Sequence, residues 1–153
     1  FLHGWWGNKQ STRFEMRRRF EPAEGAEAWQ MSNPPIFSLA PVVASLQLFQ
    51  QAGLDRLRKK STMLTGYLDW LIATRFGDRI GNITPAGSRG CQLSLIVKDE
   101  SIDAKALFDR LCERNATGDW RNPDVIRVAP APLYNSFVDV FDFAERLSDA
   151  LDD

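Results

Sequence analysis

Positions at helical spacing recur along one long stretch of the chain. Leu39, Val43, Leu46, Gln50, Gly53, Leu57, Leu64, Leu68 and Leu71 fall near steps of three and four, the stripe a helix turns toward a core. The spacing predicts a long helix from near Ser38, whose hydroxyl can cap the free amides, with Pro41 tolerated in the first turn. Gly53 marks an expected bend. A second helix is predicted over about 101–115, burying Leu107, Phe108 and Leu111. A third opens at Ser136, where Asp139 completes a capping-box pattern. It sets Phe137, Val140, Phe141, Ala144, Leu147 and Leu151 on one face.

Short runs of alternating character lie between these helices. "CQLSLIV" at 91–97 predicts a strand with Cys91, Leu93 and Leu95 inward. Shorter candidates fall at 82–84 and 116–120, and the turn "RNPD" then leads into "IRVA". There Ile126 and Val128 share one face and Arg127 the other. Helix, strands, helix, strands, helix is the order of an α+β fold, a two-layer sandwich of a small mixed or antiparallel sheet with helices. Residues 1–35 show neither period. They hold Trp5, Trp6, Trp29 and the pair Pro34–Pro35, and read as an extended arm. Exposed paired tryptophans call for a partner surface. The expected division is therefore an arm over 1–35 and a domain over 36–153.

Composition narrows the function classes. The chain has 153 residues, 44% hydrophobic and 25% charged, ordinary for a globular domain and long enough to build one core. A net charge of −1 offers no bulk field to nucleic acid or an anionic membrane. "RLRKK" at 56–60 has no interleaved aromatics and reads as a solvated helix face. No apolar run approaches the roughly 20 residues that cross a bilayer, and the first ten residues lack the pattern of a secretion signal. Cys91 and Cys112 are too far apart for a paired metal hook, and His3 alone cannot complete a zinc set. No metal site is expected. Both thiols read as small core residues in a reducing, cytoplasmic setting. The chain starts with Phe1 rather than methionine, which suggests a trimmed or incomplete polypeptide.

Three side chains stand out chemically. Arg127 is solvated, or paired with an acid such as Asp124, or holding an anion; its guanidinium fork matches a carboxylate with two parallel hydrogen bonds. Asn33 precedes two prolines that fix its backbone presentation. Its amide suits a phosphate or a polar substrate group, and equally a plain turn before a helix. Trp5 couples one N–H donor to a large apolar body.

"GWWGNKQSTRFEM" at 4–16, "MSNPPI" at 31–36, "LRKKSTMLTGYLDWLI" at 57–72, "RGCQLSL" at 89–95 and "RNPDVIRVAPAPLYNSFVDV" at 121–140 together resemble kynureninase. They do so in order, over nearly the whole chain. The resemblance implies a fold-type I enzyme dependent on pyridoxal 5′-phosphate. Such an enzyme hydrolyses L-kynurenine or 3-hydroxykynurenine to anthranilate or 3-hydroxyanthranilate plus L-alanine, in tryptophan catabolism and NAD biosynthesis. It also implies a homodimer with active sites built from both subunits. By the same resemblance Arg127 binds the substrate α-carboxylate, Asn33 meets both substrate and cofactor, Trp5 meets the cofactor, Ser32 is a lesser neighbour on the substrate, and Trp6 lies against the substrate ring. Asn8 departs from the histidine the family often has there, and no role is assigned to it. The lysine that holds the cofactor as a Schiff base has no match among Lys9, Lys59, Lys60, Lys98 and Lys105. The chain is therefore expected to be a C-terminal segment, inactive alone, with no catalytic residue of its own. Other readings remain: another fold-type I enzyme such as a desulfurase, or a non-catalytic interaction or dimerisation module.

Overall fold

The computed structural model describes residues 4–153; His3, considered above for zinc, lies outside them. Two compact units divide the chain, one up to Leu48 and one over Phe49–Asp153.

The second unit is built on a four-stranded sheet. Strands β1 (Ile80–Asn82), β2 (Leu93–Val97), β3 (Asp119–Arg121) and β4 (Val125–Val128) lie in the order β1-β2-β4-β3, and every neighbouring pair is antiparallel. The registers set Leu93 opposite Val128 and Leu95 opposite Ile126. Period two then turns Leu93, Leu95, Val97, Ile126 and Val128 to one face, and all five are buried. Helix α2 (Leu54–Arg75) covers them with Leu64, Leu68, Leu71 and Ile72, α3 (Ala104–Glu113) with Leu107 and Leu111, and α4 (Phe137–Asp152) with Val140, Ala144, Leu147 and Leu151. The α+β architecture with helices on a small sheet is as expected, and the sheet is antiparallel throughout.

Local chemistry explains the helix ends. Ser136 and Asp139 form the predicted capping box, each side chain bonding the other's backbone N–H. For α3 the cap is Asp103, which accepts from the N–H of Ala106 at 2.7 Å, so the helix starts later than expected. Asn115 ends that region in the left-handed conformation (φ 58°), which its short polar side chain tolerates. The last turn of α4 is closed by arginines from elsewhere. Arg79 donates to the Leu151 carbonyl at 2.6 Å and Arg110 to the Ala150 carbonyl at 2.7 Å, where free carbonyls concentrate negative partial charge. Arg89 pairs with Asp69 of α2 at 2.8 Å, and Asn82 of β1 donates to the other Asp69 oxygen.

The long stripe divides in two. Helix α1 (Ile36–Ala52) ends where Gly53 takes φ +83°, a region open to glycine, and α2 begins at Leu54. The start is Ile36 rather than Ser38, because the Pro35 carbonyl already accepts from Ser38 and Leu39; Ser38 is no cap. The C-terminal half of the stripe is core. Leu39, Val43 and Leu46 are instead exposed, and α1 has no buried residue. Helix α1 is apolar on nearly every side, so spacing selects no inner face. Five further burial expectations are corrected. Phe137 and Phe141 are exposed at the open margin of α4, Phe108 is only half-buried, and Cys91 sits half-buried in the bend before β2. Cys112 is exposed on α3, and both thiols are free. In "RLRKK", Arg56 donates to the Ala52 carbonyl and Arg58 to that of Arg89.

Residues 4–35 contain neither α-helix nor strand. Three single-turn 3-10 segments, Trp5–Gly7, Arg13–Glu15 and Gly25–Trp29, punctuate them, and a bridge between Asn8 and Pro22 turns the arm back on itself.

Leu107→Ala should lower unfolding free energy by about 2–5 kcal/mol, read as a reduced urea midpoint, because the side chain is fully buried. Ser136→Ala should lower it by about 1 kcal/mol through loss of the cap. Val138→Ala, on the exposed face of α4, should change it by less than about 0.5 kcal/mol.

Candidate functional site

The hairpin of β3 and β4 creates the charged part of the site. Its register sets Asp119 directly opposite Arg127, while Ser94 of β2 faces Arg127 from the other side. Arg127 is therefore half-buried on the outer face, and the acid it meets is Asp119 rather than Asp124. Its Nη2 donates to Asp119 Oδ2, which Arg121 Nη2 also approaches at 2.9 Å. The Nε of Arg127 is shielded from solvent and has no acceptor among the described residues. That hydrogen bond from Arg127 is the main influence holding the Asp119 carboxyl below its usual value. The charges of Arg121 and Arg127 add to it, and partial desolvation opposes it.

A cavity of about 640 Å³ adjoins this pair. Residues 115–119, the end of β4, the loop after it and α4 line it, together with Gln92; its charged groups are Asp119, Arg127, Asp139, Asp142 and Arg146. Asn135 shapes the intervening loop by accepting from the N–H of Ala131 at 2.8 Å. Arg146 is held by the Asn115 carbonyl at 2.8 Å.

In the first unit, Trp5 and Trp6 meet edge to face with ring centroids 6.2 Å apart, and Phe14 packs on Trp5 at 5.2 Å. The Arg13 guanidinium lies over Trp6 at 4.4 Å, a cation–π contact. The Trp5 indole donates to the Arg13 carbonyl at 3.0 Å. A cleft of about 110 Å³ beside Trp5 is lined by Arg13, Arg17, Arg19 and Glu21. The two glycines flanking the tryptophans permit close backbone approach. A Cβ on Gly4 would stand 2.0 Å from Met31 Cα, and one on Gly7 2.4 Å from the Ala28 carbonyl oxygen. Gly4 thereby abuts the residue before Ser32 and Asn33. Both of these are exposed in the bend ahead of α1, where the Ser32 carbonyl accepts from Gln30. The Asn33 amide has no hydrogen-bond partner among the described residues.

Trp5, Trp6, Ser32 and Asn33 thus belong to one unit, and Arg127 to the other. Sequence reasoning missed two residues. Asp119 was legible in principle, since a turn centred on Pro123 pairs residue 119 with residue 127. Asn8, given no role, is structural: its amide donates to the Trp5 carbonyl at 3.0 Å and its Oδ1 accepts from the Glu21 N–H at 3.2 Å.

A profile of the kynureninase C-terminal domain matches residues 57–147. The chain belongs to the kynureninase family. It is 52% identical to the kynureninase of Xanthomonas campestris pv. campestris over 148 residues, which are 95% of this chain and 35% of that protein. Identity to the kynureninase of Stenotrophomonas maltophilia is 51% over 146 residues, 94% of this chain and 34% of that protein. The chain thus spans about a third of the length of these relatives. Solved structures of C-DES match its fold with a TM-score of 0.72 at 18% identity, covering 97% of this chain and 37% of that one. One is a mutant with glycine covalently linked to its PLP cofactor, and another is the cystine C-S lyase with its product, cysteine persulfide. At that identity the likeness concerns fold alone. The kynureninase match includes Arg127 and Asp119. No helix among the described residues is long and apolar enough to cross a membrane.

Because the Asp119 value is depressed in the folded state, its contribution to stability is fully present above the ordinary aspartate range near pH ~4 and is lost as pH falls through the folded value. An NMR titration should place the Asp119 midpoint below that of an ordinary aspartate, and Arg127→Leu should move it upward.

Proposed function

We propose that this chain is the C-terminal part of a pyridoxal phosphate-dependent kynureninase, in which Arg127 captures the substrate's α-carboxylate. The observation that carries this reading is the shielded, unpartnered Nε of Arg127 beside the 640 Å³ cavity, within the matched family segment. A buried donor without an acceptor is costly unless a ligand supplies one. A carboxylate is the ligand whose two oxygens fit a guanidinium edge.

The reaction is hydrolysis of L-kynurenine or 3-hydroxykynurenine: water and the substrate yield anthranilate, or its 3-hydroxy form, and L-alanine. Pyridoxal phosphate, when bound, supplies an electron sink for the carbanionic character at the substrate carbon. The residues present fit its phosphate in part. Asn33 offers an exposed amide with no other partner, whereas the Trp5 N–H has to leave the Arg13 carbonyl to reach it. Arg127 fixes the amino-acid end of the substrate, which is a positioning contribution. Trp6 lies against the aromatic ring, and Ser32 borders the Asn33 contact.

In this reading residues 1–35 belong to the large cofactor-binding domain and the interface of a homodimer, and residues 36–153 form the small domain. The lysine that anchors the cofactor is assigned to the two-thirds of the relatives that this chain does not cover. The setting is the cytoplasm, in tryptophan catabolism and NAD biosynthesis.

Arg127→Lys in the complete enzyme keeps the charge and loses the fork. It should raise KM for kynurenine about tenfold to hundredfold, the worth of a charged hydrogen bond. An unchanged KM would sink the assignment. The 153-residue chain alone should release no anthranilate from kynurenine, as followed by anthranilate fluorescence.

A further inference from the structure

The geometry points to Asp119 as a positioning residue for carboxylate capture: it holds Arg127 through Nη2 and leaves Nε without an acceptor among the described residues. This rests on the reading of Arg127 given above and adds a second residue to it.

Three observations support the assignment. First, the antiparallel register places Asp119 directly across from Arg127 on the same face, so their contact follows from strand pairing and not from a chance rotamer. Second, the contact engages Nη2 alone, and Nε stays shielded and without an acceptor. A carboxylate that took both nitrogens of that edge would compete with substrate; one that takes a single nitrogen orients the plane and leaves donors for another anion. Third, Asp119 is shared. Its Oδ2 also faces Arg121 at 2.9 Å, so one negative charge stands between two positive ones and the cluster keeps a net charge of +1. On the opposite side of Arg127 the cross-strand neighbour is the uncharged Ser94, so no second acid on β2 draws the guanidinium away. Both Asp119 and Arg127 line the same cavity.

The expected consequence of losing Asp119 is that Arg127 keeps its charge but samples several orientations. Ordering it then falls to the substrate, and this weakens binding without touching the reacting atoms.

The test uses the complete, cofactor-loaded enzyme. KM and kcat for kynurenine are measured for wild type, Asp119→Ala, Asp119→Asn and Arg127→Lys, together with Ki for the decarboxylated amine of kynurenine as a carboxylate-free probe. Asp119→Ala should raise KM about tenfold, with the loss falling on KM rather than kcat and the amine's Ki unmoved. Asp119→Asn, which keeps one acceptor oxygen, should fall between it and wild type. An unchanged KM in both Asp119 variants would overturn the inference. So would equal weakening of kynurenine and the amine, which signals general disruption; circular dichroism and the less drastic asparagine variant guard against misfolding. If Arg127→Lys separates the two ligands and the Asp119 variants do not, only the role of Asp119 fails. If Arg127→Lys does not separate them, the carboxylate assignment itself fails.

Discussion

Period-two alternation along β4 forces a choice on three consecutive side chains. If Ile126 and Val128 enter the core, Arg127 has to leave it. A slip of one residue against β2 or β3 would drive the guanidinium among Leu64, Leu93 and Leu107 and expose two branched residues. The core therefore locks the register, and the register delivers Arg127 to Asp119. Packing energy and site geometry are coupled here through four residues of strand, which is how an outward-facing charge acquires a reproducible address.

Much of this unit was legible because its signals are periodic. The α3 and α4 stripes, the capping box at Ser136 and the alternation of β2 and β4 all follow from side chains that must reach one core. The errors arose where periodicity continued without a core to enforce it. Leu39, Val43 and Leu46 continue the α2 spacing, yet a glycine with positive φ ends the helix between them. Nothing in spacing alone distinguishes an apolar stripe that is covered within the unit from one that is not.

The site was legible to a different depth. Arg127 announced itself as a charge in an apolar strand, whereas Asp119 became visible only once strand pairing was known, since its partner is eight residues away. The arm was the least readable part. Its order comes from Gly4 and Gly7 lying against the Met31 and Ala28 backbone, and from Asn8 tying the Trp5 carbonyl to the Glu21 amide. Close backbone approach and single side-chain ties repeat at no interval, so no periodic template detects them. Family resemblance supplied the roles of Trp5, Trp6, Ser32 and Asn33; the fold of the arm supplies only their local setting.

The two edges of the sheet, β1 and β3, are three residues long each. So short an edge presents few unpaired amides and carbonyls, and β3 also begins and ends with charged side chains. Growth by strand addition therefore has little purchase on this chain. Sticky surface is concentrated on α1 instead, where Ile36, Phe37, Val42 and Leu46 face outward.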